Sequence, residues 1–167
     1  MKNKKSQSQI ISTVLLILIV IGAVAIIIAF VIPFVKKNTP ETSCLDVAGK
    51  INIENRPKYT CVGSGLVNVQ VSNKGASEFI SGIQIEISGG GSSSSYKIED
   101  GKETADVNMY KVGGGGSTTL ELPGDLSSVT YEITTGGSVD YIAVYPILSD
   151  RETVCDGDKV AELSPCP

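Results

Sequence analysis

Four cysteines, Cys44, Cys61, Cys155 and Cys166, are the residues of this 167-residue chain best suited to covalent chemistry. Four thiols permit three pairings. Zinc is the rival use, but the 17- and 11-residue spacings, with no histidine anywhere, do not resemble zinc-ligand pairs. The expectation is two sequence-local disulfides in an oxidising compartment, Cys44–Cys61 and Cys155–Cys166. The first would fasten the start of a domain to an early strand, and the second would secure the tail. Each would stabilise by about 2–4 kcal/mol.

The other reactive groups point away from catalysis. Without histidine the chain lacks the commonest general base and the commonest metal ligand. Serine is abundant, yet no Gly-x-Ser-x-Gly elbow occurs. Asp156 and Asp158, as calcium ligands, and Glu99 and Asp100, as an acid/base pair, read better as solvated surface charge. The runs Gly89-Gly90-Gly91-Ser92-Ser93-Ser94-Ser95 and 113–116 lack the spacing of a phosphate-binding loop, and no Lys-Ser or Lys-Thr follows them. They read as flexible hairpin tips. No Asn-x-Ser/Thr acceptor is present, since Asn38-Thr39-Pro40 fails at the third position. The expectation is no enzymatic activity, no cofactor and no metal.

The elements that carry these residues are sharply divided. Residues 14–32 contain no charged or hydrogen-bonding side chain, and Gly22 is the only one outside the apolar set. Such a stretch reads as one membrane-spanning helix, because in lipid the backbone must satisfy itself. Its 19 residues reach about 28 Å, close to the hydrocarbon thickness of a bilayer. Gly22, Ala23, Ala25 and Ala29 form a small-residue band that would let helices pack closely. Pro33, then Lys36, Lys37, Asn38 and Pro40, mark the stop. Ala23-Val24-Ala25 resembles a secretory cleavage site, but a cut there would leave an oily new terminus, so the apolar run is expected to be retained.

Charge follows the same boundary. Lys2, Lys4 and Lys5 place the short head in the cytoplasm by the positive-inside bias, so the distal domain is exported. After residue 37 come 9 basic and 18 acidic residues. That acidic balance makes nucleic acid an unsuitable partner.

In the distal domain the periodicity becomes two. Val67, Val69 and Val71 alternate with polar residues, as do Ile83, Ile85 and Ile87, and Val129, Tyr131 and Ile133. Further strands are expected around 50–53, 96–98, 107–112, 118–122 and 139–145. Turn signals separate them at Asn73-Lys74-Gly75, Asp100-Gly101, Pro123-Gly124-Asp125 and Gly136-Gly137. The fold class expected is a single long N-terminal hydrophobic α-helix followed by an all-β, antiparallel, immunoglobulin-like sandwich ectodomain.

The segment Lys4-Lys5-Ser6-Gln7-Ser8-Gln9-Ile10-Ile11-Ser12-Thr13-Val14-Leu15-Leu16 resembles the amino-terminal signature of archaeal type IV pilins and archaellin-like subunits. The resemblance covers about thirty residues and implies a leader removed by a prepilin-type peptidase on the cytoplasmic side. Lys5 and Ser6 stand before the cut and Gln7 becomes the new terminus; a cut after Ser8, exposing Gln9, is the alternative. Bacterial type IV pilins resemble the chain less well, because Ile11 stands where they carry an acidic residue. Pro33, Pro40 and Gly49 also interrupt any long helix.

The implied division is a basic leader at 1–6, a membrane and filament-core helix at 7–37, and an extracellular domain at 38–167. A helix apolar on every face needs lipid or a bundle of identical helices around it. Head-to-tail contacts that do not close give an open helical polymer. The expected function is thus a subunit of an extracellular type IV pilus-like filament for adhesion or surface contact, a single-pass membrane protein before assembly. Its partners would be further copies of itself, the peptidase, a membrane platform and a cytoplasmic assembly ATPase. The alternative is a single-span surface binding protein that never polymerises.

Overall fold

A computed structural model describes residues 4–34, 44–112, 116–150 and 152–167, and the side chains of 4–11 are not described. Lys2, Lys36, Lys37, Asn38, Pro40 and most of the 113–116 glycine run therefore lie outside the described residues. The chain divides into two units, Met1–Thr42 and Ser43–Pro167.

The first unit is a helix. Its α1 segment, Lys4–Ile26, passes into one wide π-type turn, Ile27–Val31, and residues 32–34 are helical again. The wide turn falls where Pro33 would otherwise disrupt the ladder. Proline has no N–H to give the carbonyl of Ala29, and its ring crowds that carbonyl, so the turn opens to accommodate both. Ser12–Phe34 is long and apolar enough to cross a membrane.

The second unit is mostly β. One sheet holds β1 (Ile51–Ile53), β2 (Cys61–Val62), β3 (Leu66–Asn73), β6 (Val107–Met109), β7 (Ser127–Thr134) and β10 (Ser164–Pro165). The other holds β4 (Ile80–Gly89), β5 (Ser92–Glu99), β8 (Tyr141–Leu148) and β9 (Asp158–Val160), in the order β5-β4-β8-β9. Pairing is antiparallel throughout except for β2 with β10. β1 and β2 lie end to end along one edge of β3, with Ile51 opposite Asn73 and Cys61 opposite Asn68. β7 follows the other edge of β3, Leu66 opposite Thr134.

Alternation works as expected. Val67, Val69 and Val71 on β3, Ile83, Ile85 and Ile87 on β4, and Tyr131 and Ile133 on β7 are buried in one apolar core shared by both sheets. Side chains of period two reach the same face of a strand, so each valine or isoleucine set meets the other sheet while the intervening Asn, Gln and Glu sit half-buried on the opposite face, where Asn68 Oδ1 and Gln70 Oε1 have no hydrogen-bond partner among the described residues. Tyr131 carries a polar tip into this core, and its hydroxyl donates to the Glu121 carbonyl at 2.7 Å. Burial pushes this phenol far above the ordinary tyrosine range.

Two connections explain the register. Asn73 is buried, accepts from the Gly75 and Ala76 amides at 3.0 and 2.7 Å, and donates to the Pro123 carbonyl. This Asx turn closes the β3–β4 corner, with Gly75 at φ +100°. At the opposite end Gly90 and Gly91, at φ +59° and +82°, form the two-residue turn that joins β4 to β5. Leu126, in the turn just before β7, sits at φ +56° and is 87% exposed, a backbone and a solvent cost together.

Several strand expectations are corrected. Residues 118–122 form no strand, because Leu120 is buried through turn bonds with Gly101 and Lys102. The strand expected at 107–112 stops at Met109, and that expected at 139–145 runs from Tyr141 to Leu148. Ser92, Ser93, Ser94 and Ser95 belong to β5, paired with Gly89, Ser88, Ile87 and Glu86, and only Gly90 and Gly91 form the tip.

Candidate functional site

The thiols pair otherwise than their spacing suggests. Cys44 is bonded to Cys155 and Cys61 to Cys166, with Cα separations of 5.5 and 4.9 Å. The sequence-local pairs Cys44–Cys61 and Cys155–Cys166 are therefore wrong. Topology gives the reason. Between Cys44 and Cys61 the chain runs along the edge of β3, whereas β10 returns parallel to β2 and sets Ser164 opposite Cys61. The Cys166 amide then donates to the Val62 carbonyl at 3.0 Å. Cys155 is held by its amide on the Pro146 carbonyl, and Asp158 Oδ2 accepts from the Ile53 amide at 2.9 Å. The segment after β8 is thereby pinned to the beginning of the unit.

The carboxylates singled out in the sequence serve the backbone and neighbouring lysines. Asp158 takes the Ile53 and Lys159 amides, and Asp100 takes the Leu122 amide at 3.2 Å. Glu99 meets Lys102 at 2.8 Å and Lys97 at 3.4 Å, and the Lys102 hydrogen bond holds its carboxyl below the usual range. Asp125 is likewise held low by Ser77, whose amide donates to it at 3.0 Å. No group of three or more His, Cys, Asp or Glu that could hold a metal ion occurs among the described residues.

On the outer face of the second sheet, Tyr141 donates to Glu86 at 2.9 Å, and Lys159 Nζ lies 3.5 Å from the centre of the Tyr141 ring. Tyr145 is raised above the ordinary phenol range, first by burial and then by Glu86.

In the first unit, Lys5, Ser6, Gln7, Ser8 and Gln9 fall within helical backbone. Gly22, Ala23 and Ala25 follow in α1, and Ala29 lies in the wide turn. A methyl group at Gly22 would meet nothing within 4 Å of its own chain.

One concavity went unread in the sequence. It opens between the β4–β5 hairpin and the loop from β7 to β8, with a volume of about 250 Å³. Ile87, Ser94 and Tyr96 contribute from the hairpin, and Thr135, Ser138 and Val139 from the loop. The walls are tied together. The Asp140 amide donates to the Ser88 carbonyl at 2.7 Å, and Gly89 packs so tightly on Ser138 that a side chain there would strike its backbone. No local pattern announces this site, because its two walls are about forty residues apart and Ser92–Ser95 carry no apolar alternation.

The architecture defines a membrane-length apolar helix joined to a disulfide-bonded β unit, which suits a chain held in a membrane with its β unit on an oxidising side. No family model, curated protein or solved structure matches the chain.

Proposed function

We propose that this chain is a structural subunit of an extracellular, type IV pilus-like filament, polymerising through its N-terminal helix. The observation that carries the reading is the helix itself: 19 successive residues without a polar face, behind a short basic polar head and ahead of one acidic, disulfide-bonded β unit. Such a rod is at rest only in lipid or among other rods. Exchange between the two changes little hydrophobic energy, so close packing at Gly22, Ala23, Ala25 and Ala29 would favour the bundle.

Two sheets around one core support the finer reading of the β unit as an immunoglobulin-like sandwich, the outward part of each subunit. Peptidase, platform and assembly ATPase would be separate proteins, the chain itself being a building block for adhesion or surface contact and not an enzyme. Amino-terminal sequencing of native material, with electron microscopy of sheared surface material, tests this. A start at Gln7 or Gln9 and filaments containing the chain are expected. An intact Met1 on single, lipid-embedded molecules would overturn the polymer in favour of a tethered surface binding protein.

A further inference from the structure

We infer that the concavity between the β4–β5 hairpin and the β7–β8 loop binds a neutral pyranose sugar. The argument starts from charge. The chain beyond residue 37 carries twice as many acidic as basic residues, yet among the described residues no Asp, Glu, Lys or Arg lines this opening. An anion would find no cationic side chain here, and a metal ion would find no carboxylate.

The lining instead offers two kinds of surface. Tyr96, Ile87 and Val139 supply aromatic and aliphatic area, while Ser94, Thr135 and Ser138 supply hydroxyls. A pyranose has the complementary character, with a C–H face that stacks on an aromatic ring and a rim of hydroxyls that both donate and accept. A purely apolar ligand would strand the hydroxyls, and a charged one would be buried without a partner.

Size narrows the ligand. At about 250 Å³ the opening falls just below the usual range for drug-sized molecules, and suits one ring better than an extended oligosaccharide. The site is also built before any ligand arrives. The Gly90-Gly91 turn fixes one wall, and the Asp140–Ser88 bond and the Thr135 amide on the Gly65 carbonyl, at 2.9 Å, fix the other. Preorganisation of this kind lowers the ordering cost of binding a weak ligand. The inference stands whether or not the chain polymerises.

The test uses the full chain in nanodiscs of zwitterionic lipid, because detergents with sugar headgroups would compete. Saturation-transfer NMR with glucose, galactose and mannose is expected to give signals for at least one of them, strongest at ring C–H groups, with a Kd of about 1 mM. Glucuronate should give less than a tenth of that signal. Tyr96→Ala and Ser94→Phe should each weaken binding about tenfold or more, one by removing the stacking face and the other by filling the space. Tyr96→Trp should retain binding, and Ser93→Phe, one residue along β5 on the opposite face, should leave it unchanged. Retention of both disulfides and of the thermal transition shows that each variant is folded. No signal with any of the three sugars, or undiminished binding by folded Ser94→Phe, would overturn the assignment. Filament formation by Tyr96→Ala is scored separately, so loss of the sugar site and loss of the polymer are distinguishable.

Discussion

Between Val14 and Ile32 the helix has no polar side chain to pair, whereas the β unit places almost every structural decision in a named partner. Tyr131 has the Glu121 carbonyl, Asn73 has two amides and a carbonyl, Asp158 has the Ile53 amide, and all four cysteines are bonded. The β unit carries its own core. The helix must take its cover from its surroundings, which makes its environment rather than its sequence the variable. The two units should consequently fail separately.

Removing one whole disulfide should give the largest effect. Cys44→Ser with Cys155→Ser, or Cys61→Ser with Cys166→Ser, opens a loop of more than a hundred residues and should cost about 2–5 kcal/mol in denaturant unfolding of the β unit. Membrane insertion of the helix should not change. Val20→Asp should do the reverse, costing about 2.5–3.5 kcal/mol of insertion. Alkaline extraction would read the loss, while the β unit melts as before. A β unit destabilised by Val20→Asp would break the separation.

Smaller effects sharpen the picture within the β unit. Leu126 combines a left-handed backbone with an almost fully exposed apolar side chain. Leu126→Gly should therefore raise stability, by about 0.5 kcal/mol after the added freedom of the unfolded chain is subtracted. Thermal unfolding checks this sign, which is opposite to that of most substitutions. The smallest effect is acid sensitivity. Glu99, held low by Lys102, and Asp125, held low by Ser77, contribute stability that is present above their unfolded values and is lost as pH falls through the depressed ones. Stability should begin to drop below about pH 4.3. Lys102→Ala should flatten the part due to Glu99, and salt should reduce it, since that pair is exposed.

The same contrast explains how much could be read from residue order. Uniform apolarity over 14–32 and alternation in β3, β4 and β7 are local signals, and both led to the right elements. β2, β9 and β10 have two or three residues each and are too short for a period to show. Ser92–Ser95 have no apolar alternation and become strand only because β4 offers them a ladder. The disulfide partners depend on which strand lies beside which, and the parallel return of β10 along β2 has no counterpart in spacing. The concavity around Tyr96 was hidden for the same reason. Its hydroxyls look like linker until Thr135 and Ser138 arrive opposite them.

The two bridges interleave, the partner of Cys44 lying between Cys61 and Cys166 in the chain. A ribosome delivers Cys44 and Cys61 early and Cys155 and Cys166 last. The two thiols that appear first must decline each other, since their native partners follow 111 and 105 residues later. Oxidation here seals a completed fold instead of steering a growing one, so any oxidant that acts during emergence works against the native arrangement.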